Sequence, residues 1–354
     1  MRVIIGLGNT GTQIVKLASK QLHDCRFYAI DSVAASINVQ EYPNVTSLPI
    51  ISDDLAGSGR QRDRGCEMFK LHEDTEPFMK MYQDALDAKG PVILISSSAG
   101  GTGSGAIVPL VQHLLKMNSN LVVVPFIVIP SLEDPVAYHL NTSDMMIELQ
   151  EAGIDTYAVF RNRYGTADYS DINQEIVDAC GVLFGEFYDE TTQDTIDDSD
   201  LMTIIANPGR MVIHKVETSQ PSQLKRLITE KVVNSDTQPW SDPKGGQTIG
   251  GFSITSTFAT EDYEATFMDL TNRIKATSYD IYKHVSNKKT TPKAIAIVSG
   301  LAQVELRTID IDEYHVVDGM ASNVKKSKRP NFTKKRSSVN KDKLFSGIKL
   351  VDDK

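Results

Sequence analysis

The chain has 354 residues, 40% of them hydrophobic and 23% charged, with three cysteines and a formal net charge of −9. That apolar fraction excludes a wholly disordered chain, and the length allows one large domain or two ordinary ones. No uninterrupted apolar run reaches the roughly 18 residues of a membrane span, so no membrane partner is expected.

Residues 2–7 (RVIIGL) predict a short buried strand that runs into glycines, too early for a secretory signal. A helix follows with Ile14, Val15, Ala18 and Leu22 inward. Further strands are expected at Arg26–Ile30, ending in Asp31, and at Val45–Ile50, followed by the loop DDLAGSGRQRDRG. A helix from about Cys66 to Ala88 leads to a strand at Val92–Ile95, the loop SSSAGGTGSG and a helix from about Ala106 to Met117. Leu121–Ile129 is a fifth strand, closed by PSLEDP; a helix over Ala137–Ala152 and a strand at Tyr157–Phe160 come next. Apolar strands alternating with helices indicate an α/β fold with a parallel sheet covered on both faces. Cys25, Cys66 and Cys180, odd in number and far apart, fit buried thiols in a reducing cytoplasm better than disulfides or a metal site.

Beyond the sixth strand, Ile172, Ile176, Ala179, Leu183 and Phe187 recur at helical spacing, predicting one long helix through Asp171–Tyr188. Strands at Met211–Val216, Thr248–Phe258 and Ala294–Ser299 then alternate with helices near Pro221–Asn234 and Asp262–Ile281, giving a second, smaller α/β domain. From Val324 the chain holds eleven Lys/Arg against three Asp, a balance of +8, leaving −17 on the rest. This basic tail is expected to be disordered and to meet something acidic.

Two glycine motifs carry the chemistry. Gly6-Leu7-Gly8-Asn9-Thr10-Gly11 follows one strand and opens a helix, so its amides can meet phosphate at a helix N-terminus. Alone it is a dinucleotide fingerprint, with Asp31 twenty residues after Gly11 where an NAD-binding fold places an acid on the ribose. An NAD-dependent oxidoreductase is therefore one reading. The second motif, Ala99-Gly100-Gly101-Thr102-Gly103-Ser104-Gly105, repeats that context after VILISS, and a single dinucleotide does not need both. A nucleoside di- or triphosphate held between two helix N-termini does. No GxxxxGK[ST] occurs, which sets P-loop NTPases aside, and the seven histidines lack metal-ligand spacing.

AGGTGSG closely resembles the tubulin/FtsZ signature GGGTGSG, with alanine at the first position. The resemblance continues in order over about 200 residues. GLGNTGTQIV looks like the family's first nucleotide loop (Gly8, Asn9, Thr10, Gly11) and AID at Asp31 like the second. AGSGRQRDRG, with Gly59 and Arg60, looks like the γ-phosphate-sensing third, where Arg60 and Arg62 could approach a γ-phosphate or, as in most arginine-rich loops, be solvated, and IPSLEDP, with Pro130 and Glu133, looks like the fifth. Asn162 in FRN and Asn173 match the two base-contacting asparagines, and the long helix is similar to the central helix that joins the family's two domains. Ile196-Asp197-Asp198-Ser199-Asp200-Leu201 is similar to LDxxDV, whose aspartates complete the neighbouring subunit's site.

The resemblance implies a nucleotide-binding domain over 1–170, a central helix over 171–190, an activating domain over 191–323 and a tail over 324–354. It implies GTP/GDP and Mg²⁺ as cofactors, Asp197 and Asp200 as catalytic residues, and head-to-tail filaments in a bacterial host's cytoplasm. The basic tail makes the plasmid- and phage-borne TubZ and PhuZ type the most similar. It adds DNA segregation as the expected role, with Lys325–Arg336 meeting DNA or a DNA-bound adaptor. Read without the resemblance, TIDDSD is an ordinary acidic helix cap, with Asp200 or Ser199 capping the following helix, and a nucleotide-binding protein that does not polymerise is a third reading.

Overall fold

The structure, a computed structural model, describes residues 1–51, 57–163, 165, 169–185, 196–241, 248–255, 281–286 (backbone only) and 291–304, all within one compact unit of residues 1–309. The apolar runs form β1 (Arg2–Leu7), β2 (Cys25–Asp31), β3 (Val45–Pro49), β4 (Val92–Ser97), β5 (Val123–Ile129) and β6 (Thr156–Arg161). These pair parallel, in the order β3-β2-β1-β4-β5-β6. Such strands are buried on both faces and so read as continuous apolar runs rather than alternating ones.

The helices divide between the faces. Helices α1 (Gly8–Gln21), α6 (Ser170–Leu183) and α7 (Asp198–Ala206) cover one face, packing Ile14, Val15, Ile176, Cys180 and Ile204 on Ile4, Phe27, Ile93 and Phe126. Helices α2 (Arg62–Lys70), α3 (Glu76–Leu86), α4 (Thr102–Met117) and α5 (Val136–Glu151) cover the other, placing Phe69, Phe78, Leu110 and Met145 on Ile5, Leu94 and Ile127.

The expected helix over Cys66–Ala88 is two helices. Residues 71–75 turn, Thr75 becomes the cap of α3, and Pro77 enters the first turn of α3, a position where its missing N–H costs nothing but where it cannot continue a preceding helix. The long helix likewise ends at Leu183: Phe184 and Gly185 donate back to Cys180 and Val182, and Gly185 has φ 91°, the left-handed stop that glycine supplies. Phe187 and Tyr188 lie outside the described residues.

The later strands do not build a separate sheet. β7 (Gly209–Glu217) pairs parallel with β6 through Thr156–Gly209 to Ala158–Met211. β10 (Lys293–Leu301) runs antiparallel to β7 and to β8 (Ile249–Thr255), so the sheet is mixed at this end rather than all parallel. Residues Ile281–Ser286 form β9 beside β8, starting at the residue where the expected helix ends; the rest of that expected helix is outside the described residues, as is the basic tail. Helix α8 (Leu224–Asn234) packs Leu224, Ile228 and Val232 on Val212, Phe252 and Ala296.

A buried polar cluster ties α6 to this half. The Glu175 carboxylate accepts from Thr237 Oγ1 and Gln238 Nε2, both at 2.8 Å, and Gln238 also bonds the Ile213 backbone. His214, fully buried and 3.7 Å from Glu175, is kept toward its neutral form by burial. Burial alone would raise the Glu175 pKa; interaction with His214, the Lys231 charge and the Gln238 amide outweigh it and bring it to about 2. A pKa lowered in the folded state adds stability that is complete above the unfolded value and is lost as pH falls through the folded one. Thermal denaturation should therefore show stability falling between about pH 4.5 and 2, and Glu175→Gln should flatten that fall. An unchanged profile in the variant would show that Glu175 is not responsible.

Candidate functional site

Strand order locates the site. From β1 the chain passes through α1 to β2 on one side, and from β4 through α4 to β5 on the other. β1 and β4 are neighbours, so the sheet changes winding direction between them, which is where open α/β sheets bind ligands at the carboxyl ends of their strands. Both glycine motifs sit there: Gly8–Gly11 form the first turn of α1, and Thr102–Gly105 the first turn of α4, preceded by the bend Ala99–Gly101.

Small residues let these turns touch. A Cβ on Gly103 would lie 2.5 Å from the Leu7 carbonyl oxygen and 2.6 Å from Ser96 Oγ, and one on Gly8 would lie 2.9 Å from the Gly103 amide nitrogen. The two helix N-termini are therefore in backbone contact. Gly101 meets the third loop in the same way, its absent Cβ lying 2.5 Å from the Gln61 amide nitrogen, while at Gly100 a Cβ would meet nothing within 4 Å. Gly100 is the glycine of this motif that faces open space.

Neither helix start has a side-chain cap or an acidic residue in its first turn. Uncapped first-turn N–H groups carry the positive end of each helix dipole, and two such ends side by side favour an anion. The hydroxyls of the AGGTGSG motif are committed elsewhere. Thr102 Oγ1 lies 2.7 Å from Ser32 Oγ and donates to Ser58 Oγ at 3.0 Å, and Ser104 Oγ donates to the Gly100 carbonyl. What the motif offers outward is backbone.

Asp31 ends β2 and is almost fully buried. Desolvation raises its pKa, against which the Ser32 amide, bonded to Oδ1 at 2.7 Å, works to lower it. Its Oδ2 has no hydrogen-bond partner among the described residues. Gly59 and Arg60 follow one another in the left-handed region (φ 60° and 63°), and the Arg60 guanidinium lies 5.0 Å from the centre of the Tyr138 ring. Arg62, which the sequence also offered to a phosphate, is instead committed to packing: buried, it binds both Glu148 oxygens (3.1 and 2.7 Å) and the Ser104 carbonyl (3.2 Å).

In the fifth loop, after Pro130, Ser131 donates its hydroxyl to Glu133 at 2.7 Å and its amide to Asp134 at 2.8 Å. The Asn162 amide bonds the Ile129 carbonyl at 2.9 Å, which sets Asn162 beside that loop at the same end of the sheet. Asn9 and Thr10 lie in the first turn of α1, Asn9 exposed. Asn173 lies in the first turn of α6; its neighbour Gln174 pairs with Gln21, at the far end of α1 from Gly8, and among the described residues no hydrogen bond links Asn173 to the glycine turns.

Asp197 and Asp200 are not near these turns either. Asp197 caps α7: its Oδ1 accepts from the Asp200 amide at 2.9 Å, and Asp200 Oδ2 accepts from the Asp197 amide at 3.2 Å, a reciprocal capping box. Beside that helix start lies a groove of about 600 Å³ lined by Arg2, Pro91, Val122, Asp198 and Leu201. Arg2, Pro91 and Val122 stand at the amino ends of β1, β4 and β5, so the aspartates occupy the end of the sheet opposite the glycine turns. The acidic-cap reading of TIDDSD holds for the isolated subunit, but the capping residue is Asp197, with Asp200 in the first turn, rather than Asp200 or Ser199.

Sequence reasoning missed Asn141 of α5, whose Nδ2 reaches the carbonyls of Ala99 (3.1 Å), Arg60 (3.3 Å) and Gly100 (3.4 Å).

Known proteins resemble the chain both in sequence and in fold. CetZ4 of Haloferax volcanii, a tubulin-like protein, is 25% identical over 197 residues, 51% of this chain and 50% of its own; the match thus spans half that relative's length. Among solved structures, GDP-bound monomeric CetZ1 of the same archaeon superposes with TM-score 0.67 at 18% identity, covering 87% of this chain and 96% of the other. CetZ2 in a GTPγS-bound protofilament gives 0.68 at 16%, covering 86% and 95%. A protofilament of Bacillus thuringiensis TubZ gives 0.64 at 14%, covering 86% and 88%. The TubZ fold is therefore not set apart from the CetZ fold, so the likeness does not single out the TubZ and PhuZ type expected from the sequence. A family model described as tubulin like matches residues 60–316, most of the chain, and the chain belongs to the tubulin-like family.

Proposed function

We propose that this protein binds GTP and GDP at the β1–β4 crevice, hydrolyses GTP and assembles head-to-tail into filaments. The observation that carries the reading is the pair of touching, uncapped helix N-termini at the point where the sheet changes winding direction. Those first turns fit a di- or triphosphate: they present amides, hold no competing acid, and leave Gly100 open. Bound GTP would supply a phosphoanhydride, with Mg²⁺ neutralising its charge. Gly8, Asn9, Thr10, Gly11 and Ala99–Gly105 would hold the phosphates, Gly59 and Arg60 the terminal one, and Asn162 and Asn173 the base.

Asp197 and Asp200 lie at the other end of the subunit, so a complete site needs a second copy. A heterologous contact of this kind does not close on itself and propagates as a filament. In it, the next subunit's carboxylates would orient water and take up its proton. The capping box is compatible with that role, because it uses one oxygen of each carboxylate and fixes the orientation of the other. The relatives solved as GTPγS protofilaments support the assembly. The division into nucleotide-binding residues 1–170, central helix and activating residues 191–323 belongs to the same proposal, as does DNA segregation through Lys325–Arg336 and an acidic cargo or its adaptor.

Retention of labelled GTP against NADH tests the nucleotide. The expected result is GTP retained and displaced by GDP, with NADH without effect. Retention of NADH alone would return the GLGNTG and Asp31 reading of a dehydrogenase.

A further inference from the structure

One face of α5 holds the third loop. Tyr138, Asn141, Met145 and Glu148 recur at helical spacing, and three of them grip the segment from Arg60 to Arg62. Tyr138 lies under the Arg60 guanidinium at 5.0 Å, Asn141 bonds the Arg60 carbonyl at 3.3 Å, and Glu148 binds Arg62 bidentately. The same Asn141 amide also reaches the Ala99 and Gly100 carbonyls. All three of its partners are carbonyl oxygens, which only accept, so the orientation of the amide is fixed by chemistry. Asn141 is thus the side chain shared by the third loop and by the open glycine of the AGGTGSG motif. Arg60 is meanwhile held in a left-handed backbone conformation that a residue with a Cβ adopts at a cost.

We propose that Asn141 is a positioning residue that sets Arg60 relative to the Ala99–Gly100 turn, and that through it the site discriminates a nucleoside triphosphate from a diphosphate. The inference rests on the nucleotide-binding reading. A ligand that pulls on the Gly100 turn changes the geometry of an amide that also holds Arg60, so the two loops move as one unit. A diphosphate, held at the helix starts alone, does not depend on that linkage. Tyr138 supplies the second hold on Arg60, through the ring face that attracts a cation.

The test uses the full chain and its Asn141→Leu, Asn141→Gln and Tyr138→Leu variants, with GTPγS and GDP as probes and the melting temperature of the free proteins as the folding control. Asn141→Leu is expected to weaken GTPγS binding about tenfold while GDP binding stays within about twofold, shifting the ratio of the two constants. Asn141→Gln, which keeps the amide, should restore part of that ratio, and Tyr138→Leu should shift it in the same direction by less. An equal loss for both nucleotides, or an unchanged ratio in both Asn141→Leu and Tyr138→Leu, overturns the positioning role and leaves the nucleotide reading standing. Failure of the unmodified chain to bind either nucleotide overturns both.

Discussion

Gly103→Val is expected to reduce guanine-nucleotide affinity by at least about 100-fold, an effect of roughly 2.7 kcal/mol. The reason is backbone against backbone. The absent Cβ of Gly103 lies 2.5 Å from the Leu7 carbonyl oxygen, and the would-be Cβ of Gly8 lies 2.9 Å from the Gly103 amide. A side chain at 103 cannot rotate away from either strand end, so the two helix starts must separate, and overpacking of this sort costs on the order of 1–3 kcal/mol of stability as well. The melting temperature should fall by several degrees. Gly100→Ala is the matched control: its Cβ enters open space, so the fold should keep its melting temperature while binding weakens, because the methyl group stands where the ligand is placed. Titration of GTPγS and a thermal melt of both variants check the pair. Equal melting behaviour with normal affinity in Gly103→Val would mean that the two turns do not form the site.

Asp200→Asn is expected to lower turnover by about 10²–10⁴-fold, the range that a positioned acid or base contributes, with GTP affinity within about twofold. Asparagine keeps an oxygen for the Asp197 amide, so the capping box and α7 survive, and only the charge and the proton acceptor are lost. Asp197→Asn should behave similarly. Asp197→Ala adds the loss of a helix cap, about 1 kcal/mol, and would confuse folding with catalysis. Single-turnover hydrolysis in assembled polymer is the measurement; unchanged hydrolysis in Asp200→Asn removes that residue from the mechanism.

Much of this was legible before the structure because it is local. Buried strands read as apolar runs, and a glycine cluster between a strand and a helix marks a close approach whatever the fold. The winding switch that brings the two clusters together depends on strand order. No local pattern encodes that order; the resemblance implied only that both clusters meet one nucleotide, and the order itself comes from the sheet. Two errors had visible local causes. Thr75-Glu76-Pro77 is a helix start inside an amphipathic run, and Gly185 is a helix stop inside another; in both, hydrophobic periodicity outweighed the punctuation.

Asn141 and Arg62 were illegible for a different reason. Their partners lie 81 and 86 residues away, and nothing in the string HLNTSD distinguishes a surface asparagine from one that ties two loops. Arg62 looked like a phosphate ligand because its loop is rich in arginine; burial against Glu148 is what gives it a structural role. The joining of β7 to β6 through three residue pairs was equally hidden, since a chain leaving a helix can add to an old sheet or begin a new one with the same sequence pattern.

On the proposed reading each site is completed by a second copy, and the rate of GTP hydrolysis per subunit as a function of protein concentration tests this most directly. Almost no turnover is expected below a threshold concentration, with a steep rise above it and polymer appearing in pelleting at the same threshold. Turnover per subunit that is constant across the whole range, with no polymer at any concentration, would contradict that reading.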